Sequence, residues 1–275
     1  MPIDNALKEL TPNPIKLHPE PETSETLNIN FTDKEFYSIK SNIIKQKLSP
    51  EYISFLKKAE YEDFDKASEI KIAKTMLKIN PAVRQSAQDK SILIRGNDKD
   101  DLVQITQAEA RKLAENLGYK LLTTGIMFNL FIPYLEEMIK YGVDQEAKST
   151  MREMLNGSEW LADIVYDRTD AIELAIPNFG KKVAKEISIG PRKIGINDIT
   201  LELPEDQGYF HRTDINVYGY PERSRYSQEF FYYPDEKNSS KTSVLRGFGN
   251  KVGIGFVETE CKSQVIGMRL SKIIY

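Results

Sequence analysis

An α+β fold is predicted for this chain of 275 residues. Apolar residues recur at helical spacing through the stretch that ends near Leu155. Beyond Trp160 the texture changes to short runs with β-like alternation, divided by turn residues. Helices first and strands later is the α+β order, not the regular succession of strand, helix and strand that builds a parallel sheet. By length the chain exceeds the usual domain of about 100 to 200 residues, so one large domain or two unequal ones are expected. The divisions read from it are an extended arm or linker over 1–30, a helical region over 31–90, and the α+β domain over 91–275.

The arm carries five prolines in its first 21 positions and little apolar periodicity, the mark of an extended segment. Helices are predicted from Thr32, where Thr32 and Glu35 form a capping box and Phe36, Ile39 and Ile43 follow at helix spacing. Ser49 and Pro50 restart the helical pattern, and Asn80 with Pro81 is read as stopping the stripe of Phe64, Ala67, Ile70 and Ala73 to Leu77. A helical bundle or oligomerisation module is the favoured reading, which leaves a homo-oligomer through these helices open.

Two short strands are predicted between Ser91 and Ile105, around a polar turn at Asn97 to Asp101 that lacks the ligand spacing and closing Glu of a calcium loop. Thr106 and Glu109 form another capping box ahead of the stripe Ala110, Leu113, Ala114 and Leu117, with Gly118 at the C-terminal cap. A second helix is expected from Thr124 to Gly142, with Pro133 as its kink point, and a third over Gln145 to Leu155. Strands are then expected at Ile164 to Tyr166, Ala171 to Ile176, Val183 to Ile189, Ile199 to Leu203, Ile215 to Tyr220, Glu229 to Tyr233, Ser243 to Leu245, Gly253 to Glu258 and Val265 to Ile274.

Four pieces of this pattern occur in an order that resembles one family. Thr106-Gln107-Ala108-Glu109-Ala110 leads to Asn116-Leu117-Gly118-Tyr119-Lys120-Leu121-Leu122-Thr123; then come Gly157-Ser158-Glu159-Trp160-Leu161, Val244-Leu245-Arg246-Gly247 and Ile266-Gly267-Met268-Arg269-Leu270. They resemble the threonine-led helix with G-Y-R-L-P-T, the G-x-E-W core motif, the R-G-G-S-W entry and the terminal I-G-F-R strand of the formylglycine-generating-enzyme (sulfatase-modifying factor) superfamily. The departures are Lys120 for arginine, Leu122 for proline, Phe248 and Gly249 where G-S-W would continue, and Met268 for phenylalanine. The resemblance implies a C-type-lectin-like domain over 91–275, preceded by the small helical N-terminal region, and is closest in character to the variable proteins of diversity-generating retroelements. Independently of it, Trp160 is the natural centre of a loop-rich core, because it is the only tryptophan and carries large apolar area. Arg246 and Arg269 stand in apolar strand contexts, where a guanidinium is costly unless it meets carboxylates or carbonyls. Both are expected to be buried anchors, with Glu159 as one candidate partner.

The chemistry of the chain argues against catalysis. The oxidase branch of that superfamily works through a copper-binding cysteine pair, and this chain has Cys261 alone. His18 and His211 are the only histidines, too few for a multi-histidine metal site and poorly placed for a triad. No cofactor and no metal are expected. Balanced charge, 38 basic against 41 acidic residues, exerts no general pull on nucleic acid, and the basic strip of Lys181, Lys182, Lys185, Arg192 and Lys193 lacks interleaved aromatics. No signal peptide and no membrane span are expected, so the location read is cytoplasmic or virion-associated.

What remains is recognition. Tyr209 to Tyr233 mixes aromatics with small polar residues, partly core and partly of binding-surface composition. In the retroelement variable proteins the stretch between R-G-G and I-G-F-R displays the altered ligand-contacting side chains. Here that stretch is Phe248 to Val265, in which period-two spacing nominates Asn250, Lys251, Phe256, Glu258, Glu260 and Lys262, with Tyr226 and Tyr232 as neighbours. The expected partner is a protein or other macromolecular ligand at this C-terminal face. A plain surface hairpin is the rival account of the stretch. An enzyme of the same superfamily with non-standard chemistry, and a structural or assembly protein, are the rival accounts of the whole chain.

Overall fold

The structure, a computed structural model, describes residues 31–59, 63–96, 103–142, 144–167, 184–189, 200–202, 208–221, 230–233, 241–248, 251–258 and 266–275. The proposed arm, the strand at Ala171 to Ile176, the turn at Asn97 to Asp101 and Cys261 lie outside these residues.

The N-terminal region is not purely helical. Glu35 does accept the Thr32 N–H at 2.7 Å, but this box closes a single 3-10 turn, Asp33–Glu35, and the chain then extends into β1 (Phe36–Lys40). Helix α1 (Ser41–Lys47) comes next, then α2 (Pro50–Ala59), whose start is capped as expected by the Ser49 hydroxyl accepting from the Tyr52 N–H. Strand β2 (Glu69–Ala73) replaces the expected helix there, with Ile70 and Ile72 buried and their neighbours half-buried. Asn80 and Pro81 begin a helix rather than ending one. The Asn80 side chain accepts from the Val83 N–H and Pro81 occupies the first turn of α3 (Pro81–Asp89), a position where the missing proline N–H costs nothing.

Over the described residues from Ser91 to Asn156 the expected and observed elements coincide closely. The short strands β3 (Arg95–Gly96) and β4 (Val103–Gln104) pair antiparallel. Helix α4 (Gln107–Asn116) is started by the Thr106/Glu109 box and followed by Gly118 at φ +76, a conformation that glycine adopts without strain. Strand β5 (Lys120–Leu121) leads into α5 (Thr124–Ile126), a π-helical segment Met127–Phe131 and α6 (Ile132–Tyr141). Pro133 therefore falls at the junction of wide and ordinary helical turns, where its missing donor is absorbed. Helix α7 (Gln145–Asn156) is capped by the Asp144 carboxylate, which accepts from the Glu146 and Ala147 N–H groups.

The strands beyond α7 are β6 (Ser158–Asp167), β7 (Ala184–Ile189), β8 (Thr200–Glu202), β9 (Gly208–Phe210), β10 (Phe230–Tyr233), β11 (Lys241–Phe248), β12 (Lys251–Glu258), β13 (Ile266–Met268) and β14 (Leu270–Ile274). The expected strand at Ile215 to Tyr220 is instead a tight turn. The Asn216 side chain accepts from the Tyr218 and Tyr220 N–H groups, and Gly219 takes φ +89 against the backbone of Thr124. The larger sheet runs β8-β7-β6-β11-β12-β10-β9, with β13 also pairing parallel to β6; a smaller sheet runs β1-β2-β14-β5. Because β14 lies between β2 and β5, the last strand of the chain joins the region 31–90 to the strand beyond α4.

Residue Arg269, between β13 and β14, marks the point where one sheet hands over to the other. It is 1% exposed, and Glu159 is 0% exposed. The guanidinium donates to both Glu159 carboxylate oxygens, at 2.9 and 2.6 Å, to Glu153 of α7 at 2.7 Å, and to the Ala73 carbonyl of β2 at 2.9 Å. Burial works against the charged guanidinium, but Glu159 and then Glu153 outweigh it and hold its pKa above the ordinary arginine value. Beside it Trp160 is 1% exposed, and its indole N–H donates to the Ile105 carbonyl at 2.9 Å. The fork of an arginine matches a carboxylate in a way lysine cannot, so a single side chain ties β6, α7 and β2 together.

Strand β11 lies very close to α7: a Cβ on Gly247 would stand 1.8 Å from the Leu155 carbonyl oxygen. This approach sets the spacing between the larger sheet and the α6/α7 pair.

Candidate binding groove

Besides the Arg269 clamp, two places among the described residues are candidates for a site. One is interior. Asp163 of β6, 1% exposed, accepts from the Thr124 N–H at 2.8 Å and from the Tyr220 hydroxyl at 3.1 Å. Burial pushes its carboxyl up to about 6, against the lowering effect of the Thr124 and Tyr220 hydrogen bonds and of the Arg111 charge. A perturbed carboxyl in a cleft is a functional candidate, but this one has no exposed surface to offer and stands where it anchors the start of α5 and the turn at 216–220.

The second place is open. A groove of about 540 Å³ runs between α6, α7 and the β10/β12 side of the larger sheet. Ile132, Glu136, Ile139 and Lys140 of α6 recur at spacings of four, three and one, so they share one helix face; Met151 and Leu155 do the same on α7. Phe230 of β10 and Val252 of β12 complete an apolar floor. The close approach at Gly247 holds α7 against the sheet, and the groove forms where the sheet continues past it.

The described rim is polar, with Lys140, Arg212 and Lys251 alongside Glu136, His211 and Thr213. His211 caps the 3-10 turn Arg212–Asp214: its Nδ1 lies 3.0 Å from the Thr213 hydroxyl and accepts from the Thr213 N–H at 3.3 Å. That turn presents Arg212, whose Nη2 donates to Glu136 at 2.5 Å across the groove and whose guanidinium lies 5.6 Å from the centre of the Phe230 ring. On its other contact Phe230 stacks with Phe210, centroids 5.4 Å apart. Lys140 and Lys251 stand on opposite sides, from α6 and from the first position of β12. A second concavity, of about 660 Å³, is lined by Leu48, Pro50 and Ile53 with Lys45, Lys57 and Asp65. It is more open and involves none of the residues nominated from sequence.

Of the nominated ligand-binding residues, Lys251 is half-buried on the rim of the first groove. Phe256, Glu258 and Tyr232 are placed by backbone register alone: Phe256 opposite Ser243, Glu258 opposite Lys241, and Tyr232 opposite Ile254. Asn250, Glu260, Lys262 and Tyr226 lie outside the described residues. Val252 and Ile254 are buried in the core, and positions 256 and 258 fall in strand phase with them whereas Lys251 falls out of phase, so a single alternation does not present all three outward as expected. Among the three nominated anchors, Trp160 and Arg269 are buried as expected and Glu159 is the partner of Arg269; Arg246 is fixed only by its register opposite Ser158 and Gly253. The aromatic segment divides: Phe210, Tyr220 and Phe230 are core, while Tyr218 is half-buried and donates to Glu51.

The rest of the groove was not nominated. Glu136, Ile139, Met151 and Leu155 sit on helices whose apolar stripes read as core faces, and nothing local separates a groove floor from a core. Arg212 carried a usable signal, an arginine between His211 and an aromatic segment. Among the described residues no group of three His, Cys, Asp or Glu could hold a metal, and no helix is long and apolar enough to cross a membrane. Comparison with family models, curated proteins and solved structures returned no match.

Proposed function

We propose that this chain is a non-catalytic recognition protein, built on a C-type-lectin-like scaffold of the formylglycine-generating-enzyme kind, that binds a protein or other macromolecular ligand through the groove on its C-terminal face. The observation that carries the reading is the place of Lys251: the nominated residue whose side chain is described lies on the rim of an apolar-floored groove. Such a floor with a few polar groups at its edge is the usual anatomy of a binding site. The scaffold is supported by the meeting of the motif pieces. Glu159-Trp160 and Ile266 to Met268 lie on neighbouring parallel strands, Val244 to Arg246 pairs with β6 on its other side, and Leu121 pairs with Leu270.

The test is a selection. A displayed library of random dodecapeptides is passed over the full chain, and retained peptides are counter-screened on Met151→Trp and Ile139→Trp, which fill the groove from different helices. Retained peptides should lose at least about tenfold in affinity on both variants, since a filled pocket removes a central contact. Equal binding to wild type and filled variants removes the groove as the site, as does a selection that returns no binder.

A further inference from the structure

No further inference is drawn: the strongest candidate, the apolar floor of the groove between α6, α7 and the β10/β12 side of the larger sheet, belongs to the site already described, and nothing in the structure shows what covers it.

Discussion

Replacing Arg269 by methionine tests the joint on which the two sheets depend. The substitution keeps much of the side-chain volume and removes the fork that holds Glu159, Glu153 and the Ala73 carbonyl. Glu153 retains the Met76 N–H and is partly exposed, but Glu159, at 0% exposure, is left as a buried carboxylate without its counter-charge. Breaking a buried pair in this way costs about 3–5 kcal/mol. At roughly 2–4 °C per kcal/mol for a chain of this size, the melting midpoint should fall by about 6–20 °C. Removing both charges, as Arg269→Met with Glu159→Leu, should recover most of the loss and leave a coupling energy of about 2 kcal/mol or more. The assay is urea denaturation followed by the fluorescence of Trp160, the only tryptophan in the chain and the neighbour of Glu159. As a contrast, Lys66→Ala removes the exposed Lys66–Asp63 pair and should leave the midpoint unmoved. An Arg269→Met protein that unfolds at the wild-type urea concentration would refute the reasoning, as would additive losses in the double variant.

Other outcomes rest on the same geometry. Burial raises Asp163 from 3.8 to about 6, so the folded chain holds that proton more tightly than the unfolded chain; the contribution to stability is fully present below about pH 4 and is lost as pH rises through about 6. Asp163→Asn should therefore match wild type near pH 4 and exceed it at pH 7.5, by at most about 3 kcal/mol, and parallel stability curves for the two proteins would contradict this. Gly247→Ala drives a Cβ onto the Leu155 backbone and should cost about 3 kcal/mol by thermal melting; a wild-type melt would show that β11 and α7 are not so close. Thr106→Ala removes the cap of α4, where the hydroxyl accepts from the Glu109 N–H at 3.2 Å, and should cost about 1 kcal/mol in the same assay.

What could be read from sequence depended on how local its cause was. The Thr106/Glu109 box and the Asn156-Gly157 pair that ends the third helix act within one or two helical turns, and α4 and α7 form where those signals stand. Thr32 and Glu35 have the same residue spacing, and the Glu35 carboxylate accepts from the Thr32 N–H, yet only one 3-10 turn forms, because Phe36 to Lys40 is claimed by pairing with β2. Glu69-Ile70-Lys71-Ile72 alternates strictly, a strand signal that the coarser spacing of Phe64, Ala67, Ile70 and Ala73 concealed. Its other neighbour, β14, lies some two hundred residues away in sequence, and no local pattern encodes such a partner.

The same division runs through the site. A cost argument found the Glu159–Arg269 pair, since an arginine in an apolar strand must meet a carboxylate somewhere. Along β12 the nominated Lys251 stands on one face, whereas the nominated positions 256 and 258 are in phase with Val252 and Ile254, which are core. Strand period tells two faces apart but not which is wet. Ile139, Met151, Leu155 and Arg212 become a groove only when α6 and α7 are set against the sheet, which is a property of tertiary packing at Gly247 rather than of any one segment.

The claim that the groove is where this protein meets its partner is tested most directly by methionine methyl spectra. Met151 lies in the groove lining, whereas Met76, Met127, Met154 and Met268 are buried elsewhere in the fold. On titration of methyl-labelled protein with a selected peptide, the Met151 signal should move and saturate with the binding curve while those of Met76, Met127, Met154 and Met268 hold their positions. Saturation with Met151 unmoved would contradict it.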